Sequence, residues 1–157
     1  MREDPKHVAR VDALMSRLPD HASPEELVTA FDLAINALWR RTEVTLGSIT
    51  LSAIVERVLH QTSRTYPLLA VLTVDGHSGV QFVDLRRRIS TQDVKLIRQG
   101  MHTCLLAFLT IIGTLTGEIL TPALHGTLDD LALEDLDRTA EPRAPRTTNP
   151  KRQQGPR

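Results

Sequence analysis

Between Arg98 and Glu118 the chain runs for nineteen residues without a charged side chain, QGMHTCLLAFLTIIGTLTG, and carries Gly113-x-x-x-Gly117 within that run. A stretch of this length has to be hidden from water, in a bilayer, in the domain's own core or against a second subunit. About 20 apolar residues cross a bilayer, yet four threonines, three glycines and a histidine weaken insertion here. No aromatic belt flanks the run, and Lys95 and Arg98 on one side with Glu118 on the other give no clear charge bias. A soluble helix is therefore expected, and a membrane is not an expected partner.

Two glycines inside a helix each cost about 1 kcal/mol relative to alanine, so a close contact is expected to offset them. Leu106, Leu109, Gly113, Gly117 and Leu120 form the candidate interface stripe, facing another helix of this chain or a second copy in a homo-oligomer. Gly113→Leu is expected to disturb folding or assembly.

Around this run the local signals are mostly helical. Val8, Val11, Leu14, Met15 and Leu18 recur at helical spacing over Lys6–Leu18, and Pro19 stops them. Ser23-Pro24-Glu25-Glu26 spells a capping box with proline at the first helical position. Leu27, Phe31, Ile35, Leu38 and Trp39 continue that helix to Arg40-Arg41, where cations suit the helix C-terminus. After a break over 42–47, a third helix is expected over Ile49–Ser63. Leu68–Val74 and Val80–Asp84, joined by the turn-forming Asp75-Gly76-His77-Ser78-Gly79, suggest a β-hairpin. From a cap within Ser90–Asp93, about thirty residues of helix are expected to reach Pro122, followed by an acidic helical extension over Ala123–Leu136.

The expected fold class is α+β and mainly helical: three N-terminal helices, a central β-hairpin, one long apolar helix, an acidic helical extension and a disordered basic tail. One globular domain spans 1–137. The tail, 138–157, holds four of the nine prolines and six cations against Glu141.

Chemistry is sparse. No P-loop, dinucleotide fingerprint, H-E-x-x-H or EF-hand loop occurs. Asp, His and Ser share the loop 75–79, but turn chemistry alone accounts for those residue types, and there is no G-x-S-x-G. His102 and Cys104, two apart on a helix, point to different faces and cannot pair as zinc ligands. Cys104 among leucines suits a buried thiol, and as the sole cysteine it permits no intrachain disulfide. Glu118 and His125 would align on an unbroken helix as an acid–base or metal-ligand pair, but Pro122 intervenes, so an exposed helix end is expected. Arg86-Arg87-Arg88 after the second strand is a candidate anion or partner contact, competing with a solvated face.

The formal net charge is zero and aromatic content only 3%, so neither a global field nor stacking platforms recruit nucleic acid. MREDPKHVARVDALM has no apolar core of a secretory signal. These features point to a non-catalytic, cytoplasmic regulatory or adaptor protein that acts through protein–protein interaction as a homodimer, with no cofactor and no metal. Two alternatives stand beside it. One is a small-molecule sensor with a pocket between hairpin and long helix, lined by Phe82, Cys104 and Phe108. The other is a DNA-binding regulator that depends on Arg57 and Arg64.

Overall fold

Capping side chains set where the helices begin in the computed structural model, which describes residues 4–133. Asp4 accepts the Lys6 N–H at 2.8 Å and opens α1 (Pro5–Ser16). The Ser23 hydroxyl accepts the Glu26 N–H at 3.1 Å while the Glu26 carboxylate accepts the Ser23 N–H at 2.9 Å, the full capping box of α2 (Pro24–Leu46). The break expected after Arg41 does not occur. Thr42 is buried and its hydroxyl donates to the Leu38 carbonyl at 2.8 Å, so its polar group is satisfied inside the helix. Gly47, at φ +83°, then turns the chain directly into α3 (Ser48–Ser63).

The hairpin is shorter than the sequence pattern suggests. Pro67–Val71 forms a 3₁₀ turn with Leu69 buried, and Leu72, three residues on, is buried beside it. Only β1 (Thr73–Asp75) and β2 (Gly79–Gln81) pair, antiparallel, with Val74 opposite Val80. Past Phe82 the chain coils into α4 (Val83–Arg88), which buries Leu85 while Ile89 is buried one turn later. The three arginines thus ride on a helix rather than a strand end.

Asn36 of α2 fixes the hairpin to the helical body. Its Oδ1 accepts the Val80 N–H at 2.8 Å and its Nδ2 donates to the Val80 carbonyl at 3.0 Å, so one side chain takes the place of a third strand. Gly79 (φ +94°) makes room, since a Cβ there would collide with Asn36 Oδ1 and lie 3.3 Å from Trp39 Cγ. Phe82 meets Phe31 edge-on at 5.1 Å below this clamp.

The long helix, α5 (Val94–Leu115), starts at Asp93, which caps the Lys95 N–H at 2.8 Å. It is long and apolar enough to cross a membrane by length and composition, and 61% of its most apolar window is buried inside the protein, against α1, α2 and α3. It stops seven residues before Pro122. The Gly117 N–H reaches the Thr114 carbonyl at 3.3 Å and the Glu118 N–H reaches the Gly113 carbonyl at 2.7 Å, with Gly117 at φ +60°. That pair of bonds is a Schellman ending, so Gly117 is the helix stop.

α6 (Thr121–Asp129) follows and packs Leu124 and Leu128 against α1 and α2. Arg17 donates to the carbonyls of Leu128, Asp129 and Leu131, placing a cation at the C-terminal end of α6. The remainder of the acidic extension after Leu133, and the basic tail 138–157, lie outside the described residues.

Candidate functional site

α3 and α5 lie antiparallel. Thr62 near the end of α3 lies beside Cys104, and Tyr66 just beyond it lies against Gly100, earlier in α5. On their outer side the helices part into a groove of about 540 Å³. α3 contributes Ile54, Arg57 and Gln61, a three- and four-residue spacing that keeps them on one face. α5 contributes Thr103, Ala107, Thr110 and Thr114, a 4-3-4 run of small residues flanked by Leu106, Ile111 and Leu115. The run extends about 17 Å at 1.5 Å per residue.

Three features give this groove chemical character. Its walls are mainly apolar, and Leu115 at one end is 61% exposed. The Thr110 hydroxyl is buried without a hydrogen-bond partner, whereas Thr42, Thr62, Thr116 and Thr127 all donate to the carbonyl four residues back. Arg57 stands exposed at the rim, forms no ion pair among the described residues, and no acidic residue lines the groove. Among the residues that line it, no nucleophile and base are in contact with each other.

The five candidate interface residues do not form one stripe. Leu106 borders the groove, but Leu109 is fully buried and Gly113 faces inward. Gly117 lies in the exposed turn, and Leu120 packs on the core at the start of α6. The physical reason is the helix stop, which takes Gly117 and Leu120 off the axis of α5. No second backbone rests on Gly113 either: a Cβ there would lie 2.7 Å from Glu118 Oε1, so the space holds this chain's own carboxylate. The sequence signal for the outward face of α5 is the 4-3-4 spacing of Thr103, Ala107, Thr110 and Thr114. An apolar run hydrophobic on nearly every side concealed it.

Arg86, Arg87 and Arg88 do not converge. Arg86 donates to Asp32 at 3.1 Å and to Thr29 at 3.2 Å, tying α4 to α2, while Arg87 pairs with Asp84 at 3.3 Å on its own helix. Arg88 is exposed. Cys104 and Phe108 are sealed in the core, and Phe82, itself buried, borders only a shallow depression between α2, the hairpin and α4, so the three line no common pocket between hairpin and long helix. Burial pushes the Cys104 thiol up to about 12 against a small opposing effect of the Thr62 hydroxyl, which keeps it protonated and unreactive.

No protein-family model, curated protein or solved structure matches this chain.

Proposed function

We propose that this is a non-catalytic regulatory or adaptor protein of the cytoplasm that receives an amphipathic helix of a partner protein in the α3–α5 groove. The observation that carries the proposal is Arg57, without an ion pair among the described residues, at the rim of an apolar channel about as long as three helical turns. An apolar helix face fills such a channel, and a carboxylate on that helix answers the guanidinium. A second copy is the poorer occupant. Two copies meeting groove to groove bring two unpaired guanidinium groups and no acidic side chain to the same apolar face.

Photo-crosslinking in the native cell tests the proposal, with a photoreactive residue at Gln61 or Thr103 and a control at exposed Glu25. Crosslinks are expected from the groove positions alone, to a helical peptide containing Asp or Glu, and to disappear with Arg57→Glu. Equal crosslinking from position 25, or indifference to Arg57→Glu, would sink it. Self-crosslinking from the groove would make a second copy the occupant.

One observation favours a second reading, a small amphiphilic acid. The cavity of about 540 Å³ falls within the range of roughly 300–1,000 Å³ for small-molecule sites. A saturable melting-temperature rise with a medium-chain carboxylate, abolished by Arg57→Glu, and no groove-dependent protein crosslink, would select it.

A further inference from the structure

At the end of α5 remote from the Thr103 end of the groove, four polar side chains from three separate segments meet. His7, in the first turn of α1, is only 1% exposed. Its Nδ1 lies 2.9 Å from His125 Nε2 of α6, and the two rings meet edge-on at 5.1 Å. Its other nitrogen, Nε2, is buried with no hydrogen-bond partner among the described residues and faces Glu118 Oε1 at 3.7 Å. That separation exceeds the 2.7–3.2 Å of an N–H···O hydrogen bond.

Glu118 is held in this position against local preference. At φ +66° it is the one non-glycine residue among the described residues in the left-handed region, a conformation that costs about 1–2 kcal/mol for an L-residue. Its carboxylate folds over Gly113 at the C-terminal end of α5, where the helix dipole disfavours an anion. Thr121 donates to Oε1 at 2.5 Å. Asp4 completes the cluster: one ligand atom each from Asp4, His7 and Glu118 lie within 4.8 Å of one another.

We infer that Asp4, His7 and Glu118 form a binding site for a divalent transition-metal cation of the Zn²⁺ class. Bonds of about 2.0–2.2 Å in a tetrahedral site set ligand atoms roughly 3.3–3.6 Å apart. The His7–Glu118 separation is already near that value, and the wider separations close by rotation of the Asp4 and Glu118 side chains. Two carboxylates and one neutral imidazole supply a charge of −2, matching a divalent ion. The imidazole favours zinc or a neighbouring transition metal over calcium or magnesium, which prefer oxygen alone.

His125 supplies the outer support such a site needs. When the His7 Nδ1–H donates to His125 Nε2, the lone pair of His7 Nε2 is left bare toward the carboxylate, the tautomer a metal ligand requires. That lone pair is directed at the Glu118 carboxylate. Three protein ligands leave room for water on the side of Glu118, whose side chain is 51% exposed.

The test is calorimetric titration and thermal melting of the full chain with Zn²⁺ alone. One Zn²⁺ per chain is expected, with a higher melting temperature. Glu118→Gln and Asp4→Asn, the latter keeping a competent N-cap, should each weaken binding at least tenfold and remove the melting shift. Their metal-free melts should stay close to wild type, which separates a lost ligand from a lost fold. His102→Asn, which removes the contact with exposed Asp12, should leave binding intact. In ¹⁵N spectra the bound ion should shift His7 Nε2. Absence of saturable binding overturns the inference, and so does stoichiometric binding that neither carboxylate substitution weakens.

Discussion

Gly79 and Gly113 both leave out a side chain so that a polar group from elsewhere can settle on the backbone, but only one of those polar groups is fully matched. At Gly79 the visitor is Asn36, whose Oδ1 accepts from Val80 and whose Nδ2 donates to the Val80 carbonyl and to Asp32 Oδ1 at 2.7 Å. At Gly113 the visitor is the Glu118 carboxylate, which accepts from Thr121 and otherwise faces an unpartnered imidazole nitrogen. A closed set of buried hydrogen bonds holds a fold together. An open one, in a left-handed residue at the wrong end of a helix dipole, is poised for something that is not part of the chain.

Replacing these glycines should separate the two cases, with the largest effect at Gly79. Gly79→Ala forces a Cβ into the Asn36 amide at φ +94° and breaks both bonds to Val80. The left-handed penalty of about 1–2 kcal/mol, plus about 1–3 kcal/mol for buried polar groups left unpaired, predicts a loss of about 2–5 kcal/mol. Urea unfolding followed by far-UV circular dichroism measures it. A loss below about 1 kcal/mol would mean that the Asn36 clamp does not hold the hairpin.

Much of this contrast was hidden in the sequence because it depends on contacts distant along the chain. What is local was legible: the Ser23–Glu26 capping box, the periodic faces of α2 and α3, and a turn between two short β-forming stretches. The end of α5 was not, because Gly113-x-x-x-Gly117 spells both a packing motif and a helix stop, and only the 6→1 bond to Gly113 distinguishes them. The apolar, partly β-branched composition of 68–74 reads as a strand, while the three-residue spacing of Leu69 and Leu72 shares one face only in a 3₁₀ turn; composition outweighed spacing, so the first strand was expected too long. Glu118 and His125 were legible as a pair interrupted by Pro122. What joins them is His7, whose bond to His125 spans 118 positions of sequence and has no local signature.

Gly117 gives the intermediate case. A Cβ there meets nothing within 4 Å, so Gly117→Ala pays only for φ +60°. A loss of about 1 kcal/mol is expected in the same unfolding assay, with the fold intact. A loss as large as that of Gly79→Ala would require a close neighbour at Gly117, as in the packing-stripe expectation.

A smaller effect should appear as pH dependence, and only in the open cluster. Burial lowers the pKa of His125, the charges of His7 and Arg10 lower it further, and Asp129 and Asp4 oppose them. The unfolded chain therefore binds this proton at higher pH than the folded one. The contribution to stability is complete above the ordinary histidine range and declines as pH falls through it. With a chelator present, the urea midpoint should fall between pH 8 and pH 5.5, and less so in His125→Asn than in wild type. An equal fall in both proteins would assign the acid sensitivity to other groups. The Asn36 amide has no corresponding titration.

The smallest change in stability is expected at Gly113. An added Cβ there would meet Glu118 Oε1 at 2.7 Å and Oε2 at 3.0 Å, but these atoms end an exposed, flexible side chain that can swing into water. Alanine is worth up to about 1 kcal/mol more than glycine inside a helix, which offsets the displaced carboxylate, so Gly113→Ala should unfold within about 1 kcal/mol of wild type. Its Zn²⁺ affinity should nevertheless fall, because Glu118 can no longer rest where it faces His7. Measured together, the two readouts divide the roles of the two glycines: Gly79 trades a side chain for a structural bond, and Gly113 trades one for a carboxylate held ready. A large stability loss in Gly113→Ala would place a rigid backbone rather than a movable carboxylate over that glycine, and would return the Gly-x-x-x-Gly pair to helix packing.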